Sequence, residues 1–368
     1  MGLTEFLENF PENDSAPIGY AALAELSGLS AADAAEFART WEEWPPERLH
    51  ELFSRLAGLT EEQSGLEFEI IFKAGLALKD PLVRTLAING LAESVDRTLA
   101  ARFAELLERD PDAAVRSAAA TGMATLCILA TEGKLHTRDG ERMRLALVKT
   151  LESATEQADV KMRALETAAL FGGERVSAMI EAAYKSRDSR SRQSAVFAMG
   201  RTGDSRWLSA VTAELDAADP AIRYEATVAL GEIGGEEHVP LLKRPLDDED
   251  LEVQVAAVSA LERIGGPAAT KLLKQALQSP EPSVQEAARE ALEAIEAVEG
   301  LAEVIGPEMR KRGDMFGGRA GAEAFGEADA EVYDPGTREG WGHLVTGQGA
   351  DGLNGSASEK GAGPDEDE

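Results

Sequence analysis

Four histidines and one cysteine carry the widest chemical repertoire in this chain of 368 residues. His50, His136, His238 and His343 stand in four different contexts. None has a second His or a Cys at metal-ligand spacing, so no zinc site is expected. Cys127 falls on an apolar helical face with no histidine at catalytic spacing, which reads as a buried packing thiol rather than a nucleophile. Gly347-Gln-Gly-Ala-Asp-Gly352 matches the dinucleotide fingerprint in letters only. A phosphate turn needs a strand before it and a helix after it, and here Asn354-Gly355-Ser356 follows. Asp247-Asp-Glu-Asp250 offers acidic ligands but lacks the glycine and the closing Glu of a calcium loop, and reads as the cap of the next helix. No cofactor is expected, and no catalytic residue.

Charge carries more information. Asp80, Asp112, Asp159, Asp188 and Asp219 each precede an arginine by four residues: Arg84, Arg116, Arg163, Arg192 and Arg223. That spacing puts acid and base on one helical face. A catalytic pair would occur once, so the ladder reads as structural, each Asp capping its helix and each Arg bonding backbone or an Asp of the adjacent unit. A second feature is local. Between Lys185 and Arg206 stand Lys185, Arg187, Arg190, Arg192, Arg201 and Arg206 against Asp188 and Asp204. Tyr184, Phe197, Trp207 and Tyr224 lie within or beside this segment, and Trp207 and His238 occupy a column held elsewhere by Ala178 and Ala269. Arginine with aromatics is the composition of interface hot spots and of acidic-ligand sites. The partner-binding candidates are therefore Tyr184, Arg187, Arg190, Arg206, Trp207, Tyr224 and His238. A solvated loop with bulkier packing between units is the competing reading. Arg192 belongs to the ladder.

The elements that position these residues follow from a repeat. The ladder column continues as Gln254 and Gln285, with Asp250 and Glu281 four places earlier. Seven places later stand Leu91, Met123, Leu170, Met199, Leu230, Leu261 and Leu292. Ala87, Ala119, Ala195, Ala226, Ala257 and Ala288 recur three places after the ladder, where Glu166 interrupts. A period of about 31 residues is that of a stacked helical array. In Asp219–Leu246 the unit reads as two short helices: Asp219 caps the first, Pro220 opens it and Gly234-Gly235 ends it.

DPAIRYEATVALGEIG, and more loosely DPLVRTLAINGL and DLEVQVAAVSALERIG, resemble the short bacterial HEAT repeat, of the kind found in phycobilisome-lyase-like proteins. The resemblance covers roughly residues 76–301. It implies a right-handed α-solenoid that binds other macromolecules along its faces. Di-iron enzymes of HEAT-like build carry several His-Glu pairs, whereas His50-Glu51 is a single pair here, so that activity is not implied.

Acidic residues outnumber basic ones 67 to 37, for a net charge of −30. Such a surface disfavours nucleic acids and anionic membranes and favours partners with basic patches. No run approaches the ~20 apolar residues of a membrane span. The N-terminus lacks a signal-peptide pattern and a lone cysteine makes no internal disulfide, so the expected setting is cytoplasmic.

Residues 1–75 read as an N-terminal helical cap, residues 76–302 as a solenoid of about seven repeats, and residues 303–368 as a disordered acidic tail. In the cap, Leu3–Phe10 and Tyr20–Leu26 are short apolar segments. Ser30 and Thr60 start capping boxes, for helices through Trp44 and Leu78, and Pro45-Pro46 opens a helix over Glu47–Ala57. Phe37, Trp41, Trp44, Leu49, Leu52, Phe53 and Leu56 form an aromatic-rich cluster that either seals the first repeat or lines a ligand pocket; sealing is preferred, because an array's end must be closed. The second repeat is longer. Its first helix extends through Cys127 to Ala130, a loop follows near 131–140, and a helix spans 141–154. The loop is a tolerated insertion or a functional one. The tail holds fifteen of the 35 glycines and three segments, 309–318, 331–335 and 340–345, that read as docking motifs or spacer.

Three functions compete. The preferred one is a non-catalytic protein-binding scaffold, monomeric outside its complex, that uses a face around repeats three to five. A bilin-lyase-like chromophore carrier or enzyme accessory protein is suggested by the repeat type. A nucleic-acid binder of the DNA-glycosylase solenoid kind has only residues 185–206 in its favour.

Overall fold

The computed structural model describes residues 18–41, 44–62 and 65–305. Every regular element among them is helical. Four helices come first: α1 (Tyr20–Ala24), α2 (Ala31–Thr40), α3 (Pro46–Glu62) and α4 (Glu69–Gly75). Then helices alternate. The leading ones are α5 (Pro81–Gly90), α7 (Ala113–Gly122), α10 (Ala158–Ala168), α12 (Ser189–Arg201), α14 (Pro220–Ile233), α16 (Leu251–Ile264) and α18 (Pro282–Ile305). The returning ones are α6 (Thr98–Arg109), α9 (Thr137–Glu152), α11 (Glu174–Tyr184), α13 (Leu208–Glu214), α15 (Lys243–Leu246, continuing a 3₁₀ stretch Glu236–Leu242) and α17 (Gly266–Ala276). One extra helix, α8 (Ala124–Thr131), sits between α7 and α9. The fold is an α-solenoid of helix pairs, with each leading helix packed on the next.

The Asp at the start of a leading helix makes that helix begin where it does. Asp80 Oδ1 accepts the N–H groups of Leu82 (2.8 Å) and Val83 (3.2 Å), two donors that no helical partner satisfies. Asp112, Asp188, Asp219 and Asp250 cap in the same way. Asp159 does not: Gln157 is the cap position there, and Asp159 lies inside the first turn.

The arginine ladder then ties neighbouring units together. Arg84 Nη1 donates to the carbonyls of Leu78 and Lys79 in its own loop, while Nε and Nη2 donate to both oxygens of Asp110, ahead of the next leading helix. Arg116 repeats this with the carbonyls of Asp110 and Pro111 and the carboxylate of Glu156. Arg223 repeats it with Ala217, Ala218 and Asp248. Gln254 and Gln285 keep only the loop bond, each donating to a carbonyl six residues earlier at 2.6 Å. They are too short to bridge.

Small residues set the approach of the leading helices. All six alanines of the repeat column are fully buried. A Cβ on Gly231 would stand 2.8 Å from the Cα of Ala260, and one on Gly200 2.8 Å from the Cα of Ala229. These helices touch backbone to backbone.

The N-terminal aromatic cluster is a packed core. Phe37 meets Trp41 and Trp44 edge-on at 5.3 and 5.6 Å between ring centroids, and Trp41 meets Phe53 at 5.4 Å. Leu52, Phe53 and Leu56 are fully buried with them. His50 reaches the Asp80 carboxylate at 3.0 Å, docking α3 onto the first repeat. Although burial acts the other way, this bond and the capped N–H groups hold the Asp80 carboxyl below its usual range. Glu51 accepts the Ile18 N–H and an Arg48 N–H, so the His50-Glu51 pair is spent on packing.

Several boundaries differ from the sequence expectation. The helix after Ser30 ends at Thr40, with Trp41 as its C-cap, rather than at Trp44. Thr60 starts no helix: α3 runs through it, and its hydroxyl donates back to the Leu56 carbonyl at 3.0 Å, as a mid-helix threonine does. Half of the insert near 131–140 is helix. The first helix of that repeat breaks at Met123 into α7 and α8, and α9 begins at Thr137, which leaves only 132–136 as loop. Ala113–Thr131 is long and apolar enough to cross a membrane by length and composition, contrary to the run-length estimate. Val115, Ala119, Met123, Leu126 and Cys127 are fully buried in the stack, which is the pattern of a core segment. Helix α18 continues past the expected end of the solenoid to Ile305. The expectations for Leu3–Phe10, for the tail from 306 onward and for the glycine motif at 347–352 lie outside the described residues.

Candidate partner-binding surface

The basic segment is built around a break in the ladder. Two residues ahead of the Asp188 and Asp219 caps, where Asp110 and Asp248 stand in other units, are Ser186 and Ala217. Arg163 and Arg192 therefore have no acceptor in the next loop. Arg163 turns to Glu166 at 2.7 Å, three residues along its own helix. Glu166 is buried and also accepts the Ser194 hydroxyl at 2.7 Å; burial raises its carboxyl above the usual range. The glutamate that interrupts the alanine column is thus a polar contact between α10 and α12.

Arg192 turns instead to Glu214 at the end of α13. Its Nη2 donates to both carboxylate oxygens at 2.5 and 2.7 Å, and its guanidinium lies 5.7 Å from the centre of the Tyr184 ring. The Tyr184 hydroxyl donates to the same carboxylate at 2.6 Å. Burial first, then the bond to Glu214, raises the Tyr184 phenol. Glu214 is only 2 % exposed, so this trio ties α11, α12 and α13 together through a buried carboxylate.

The other candidates divide between two ends of α12. Arg187 and Arg190 lie at its start, and Tyr224 is in the first turns of α14. Arg187 is exposed and has no side-chain partner among the described residues. Arg190 is 68 % exposed and meets only the equally open Asp159, at 2.8 Å. Tyr224 is exposed. Arg206 and Trp207 follow the far end of α12, a helix of thirteen residues, or about 20 Å. Arg206 is held by Asp204 at 2.5 Å and Glu174 at 3.1 Å. Trp207 is buried and its Nε1 has no partner. His238 Nδ1 accepts the Gly235 N–H at 3.1 Å and so caps a 3₁₀ turn. The seven candidates are therefore not one surface. Arg187, Arg190 and Tyr224 are exposed towards one end of α12, and Arg206 is exposed but ion-paired at the other; Tyr184, Trp207 and His238 are largely structural.

The segment's positive balance is also smaller than its sequence suggests. Lys185 pairs with Glu181, Arg190 with Asp159, Arg192 with Glu214 and Arg206 with Glu174. Three of those acids lie 22 to 32 residues away, one unit along the array, where a local charge count does not look. Sequence reasoning missed Glu166 and Glu214 as buried partners. The signal was available in the missing acceptors at Ser186 and Ala217, which leave two ladder arginines to be neutralised elsewhere.

Cys127 is fully buried and burial pushes its thiol up, so it is not poised as a nucleophile. Among the described residues no three His, Cys, Asp or Glu side chains are grouped to hold a metal ion.

A family model of HEAT repeats matches residues 208–293, from α13 into α18. No curated protein matches. Among solved structures, an engineered protein aligns at 21 % identity over 75 % of this chain and 83 % of its own, with a TM-score of 0.36. The YibA protein of E. coli aligns at 13 % identity over 78 % of this chain and 99 % of its own, with a TM-score of 0.41. Human deoxyhypusine hydroxylase, solved in complex with glycerol, aligns at 17 % identity over 73 % of this chain and 97 % of its own, with a TM-score of 0.32.

Proposed function

We propose that this chain is a non-catalytic scaffold that holds a protein partner through an acidic segment at the edge where α12 and α14 begin. The observation that carries the reading is Arg187: an exposed guanidinium with no side-chain partner among the described residues, three residues before the loosely paired Arg190, with the exposed Tyr224 in the first turns of α14. Elsewhere the ladder arginines are paired, most of them across neighbouring units. Arginines and a tyrosine supply charge-assisted bonds and apolar area together.

The proposal includes a cytoplasmic setting and a monomer outside the complex. The single cysteine, free and buried, is in keeping with a reducing compartment. A net charge of −30 opposes nucleic acid as the partner of the whole surface. A chromophore carrier would need a reachable nucleophile, and Cys127 is closed off.

A photo-crosslinking residue placed at Arg187 tests the site, with the same residue at Arg206 as control. A discrete adduct from cytosol at position 187, and not at 206, is expected. Equal adducts at both positions, or none at 187, would place the binding surface elsewhere.

A further inference from the structure

Helix α9 is the longest of the returning helices, at 16 residues against 12 for α6 and 11 for α11. It belongs to the one unit that departs from the period and follows the extra helix α8. Its buried face is Met143, Ala146, Leu147, Val148 and Thr150. Its opposite face carries Arg138, Arg142, Leu145 and Lys149, spaced so that all four fall on one stripe of the helix. Arg138 and Arg142 are exposed and have no side-chain partner among the described residues. Of the nearby acids, Glu141 pairs with Arg144 and Glu132 with Lys134, and Asp139, in the first turn, is half-buried. Lys149 reaches Glu108 of α6 while remaining largely exposed. Leu145, between the cations, is 50 % exposed.

Local physics argues against this arrangement as mere surface. Arg138 lies in the first turn of α9, where the helix dipole disfavours a cation and favours an anion. Such a conflict between local preference and residue choice marks sites kept for another purpose.

We infer that the Arg138–Arg142–Leu145–Lys149 face of α9 is a docking surface for an amphipathic acidic peptide helix, its carboxylates one turn apart and an apolar residue beside them. Carboxylates at i and i+4 match the spacing of Arg138 and Arg142, and the apolar residue covers Leu145. The stripe is short and has leucine at its centre, which suits a peptide better than a phosphate backbone. The inference rests on the reading of the chain as a binding scaffold, but uses a surface separate from Arg187 and Arg190.

The test uses the full chain and a fluorescein-labelled helical peptide of about 16 residues, long enough to hold helix, with Glu at i and i+4 and Leu at i+7. A peptide with Lys in place of Glu is the control. Anisotropy titration is expected to show saturable binding of the acidic peptide only, weakening as salt rises. The Arg138→Glu/Arg142→Glu variant should lose about ten-fold or more in affinity, Leu145→Ser should lose part of it, and Arg187→Glu/Arg190→Glu should bind as the parent does. Thermal melts confirm that each variant is folded, as expected for exposed positions. Absence of saturable binding, or unchanged affinity in the α9 double variant, would overturn the inference. So would displacement of the peptide by an RNA duplex that itself binds the stripe. If only the 187/190 variant loses the peptide, the scaffold reading stands and the α9 inference falls.

Discussion

Arg84 and Asp110 stand 26 residues apart and meet through two parallel N–H···O bonds of 2.8 Å each, with both side chains buried. The same guanidinium also closes its own loop through two backbone carbonyls. One side chain therefore fixes the entry of one unit and its offset from the next. Arg116 with Glu156 and Arg223 with Asp248 do the same. Between them, at Arg163 and Arg192, the bridge is replaced by contacts within and between helices.

Breaking a buried bridge should cost more than removing a loop bond. Arg84→Ala leaves Asp110 buried and unpaired, so a loss of about 3 kcal/mol is expected. Gln254→Ala removes one bond to a carbonyl and should cost about 1 kcal/mol. Urea unfolding compares the two. Equal effects would mean that the bridge is decorative.

The bridges predict an acid-sensitive stability. The bond from Arg223 holds the Asp248 carboxyl below its ordinary value. A depressed carboxyl stabilises the fold above its unfolded pKa and loses that contribution as pH falls through the folded value. Asp248→Asn should therefore lower the melting temperature at pH 7 and matter progressively less in strong acid. Glu166 has the opposite sign: burial raises it, so its ionisation opposes folding once pH passes its unfolded value. Glu166→Gln should stabilise near pH 7 relative to its effect near pH 4. Melting curves across pH check both signs, and a Glu166→Gln effect that grew more favourable in acid would contradict the second.

Close packing of the leading helices gives a third expectation. Ala226→Asp puts an unpartnered carboxylate at a fully buried site and should cost several kcal/mol. Gly231→Val should also destabilise, because its Cβ alone would stand 2.8 Å from Ala260 Cα. Glu225→Ala should be close to neutral: the carboxyl gives up a bond from Gln193 at 3.1 Å but also an unfavourable burial that raises it. Matching melts for Ala226→Asp and Glu225→Ala would mean that the inward face has been misassigned.

The repeat was legible in the sequence because its physics is local. Asp caps act within three residues, and the alanine and leucine columns repeat on one helical face. The burial of the aromatic cluster was legible because Phe37, Trp41 and Phe53 are too apolar to be left in water. The insert was half misjudged: Glu132-Gly133 does lie in the loop, with Gly133 at φ +70°, but Gly140 is buried at the start of α9, and a Cβ there would stand 2.9 Å from the Ala130 Cβ. That second glycine serves close packing, not a turn. The surroundings of the candidate residues were only half legible. Charges were counted along the chain, while Arg190, Arg192 and Arg206 are neutralised across the stack by Asp159, Glu214 and Glu174.

The scaffold proposal turns on whether the edge at Arg187 and Arg190 holds a partner. Immobilised parent protein and the Arg187→Glu/Arg190→Glu variant, matched in melting temperature, are each exposed to cytosol at the same salt and the retained proteins compared. A protein retained by the parent and absent from the variant, released as salt rises, is the predicted result. The same retained set from both, at every salt concentration, would contradict it.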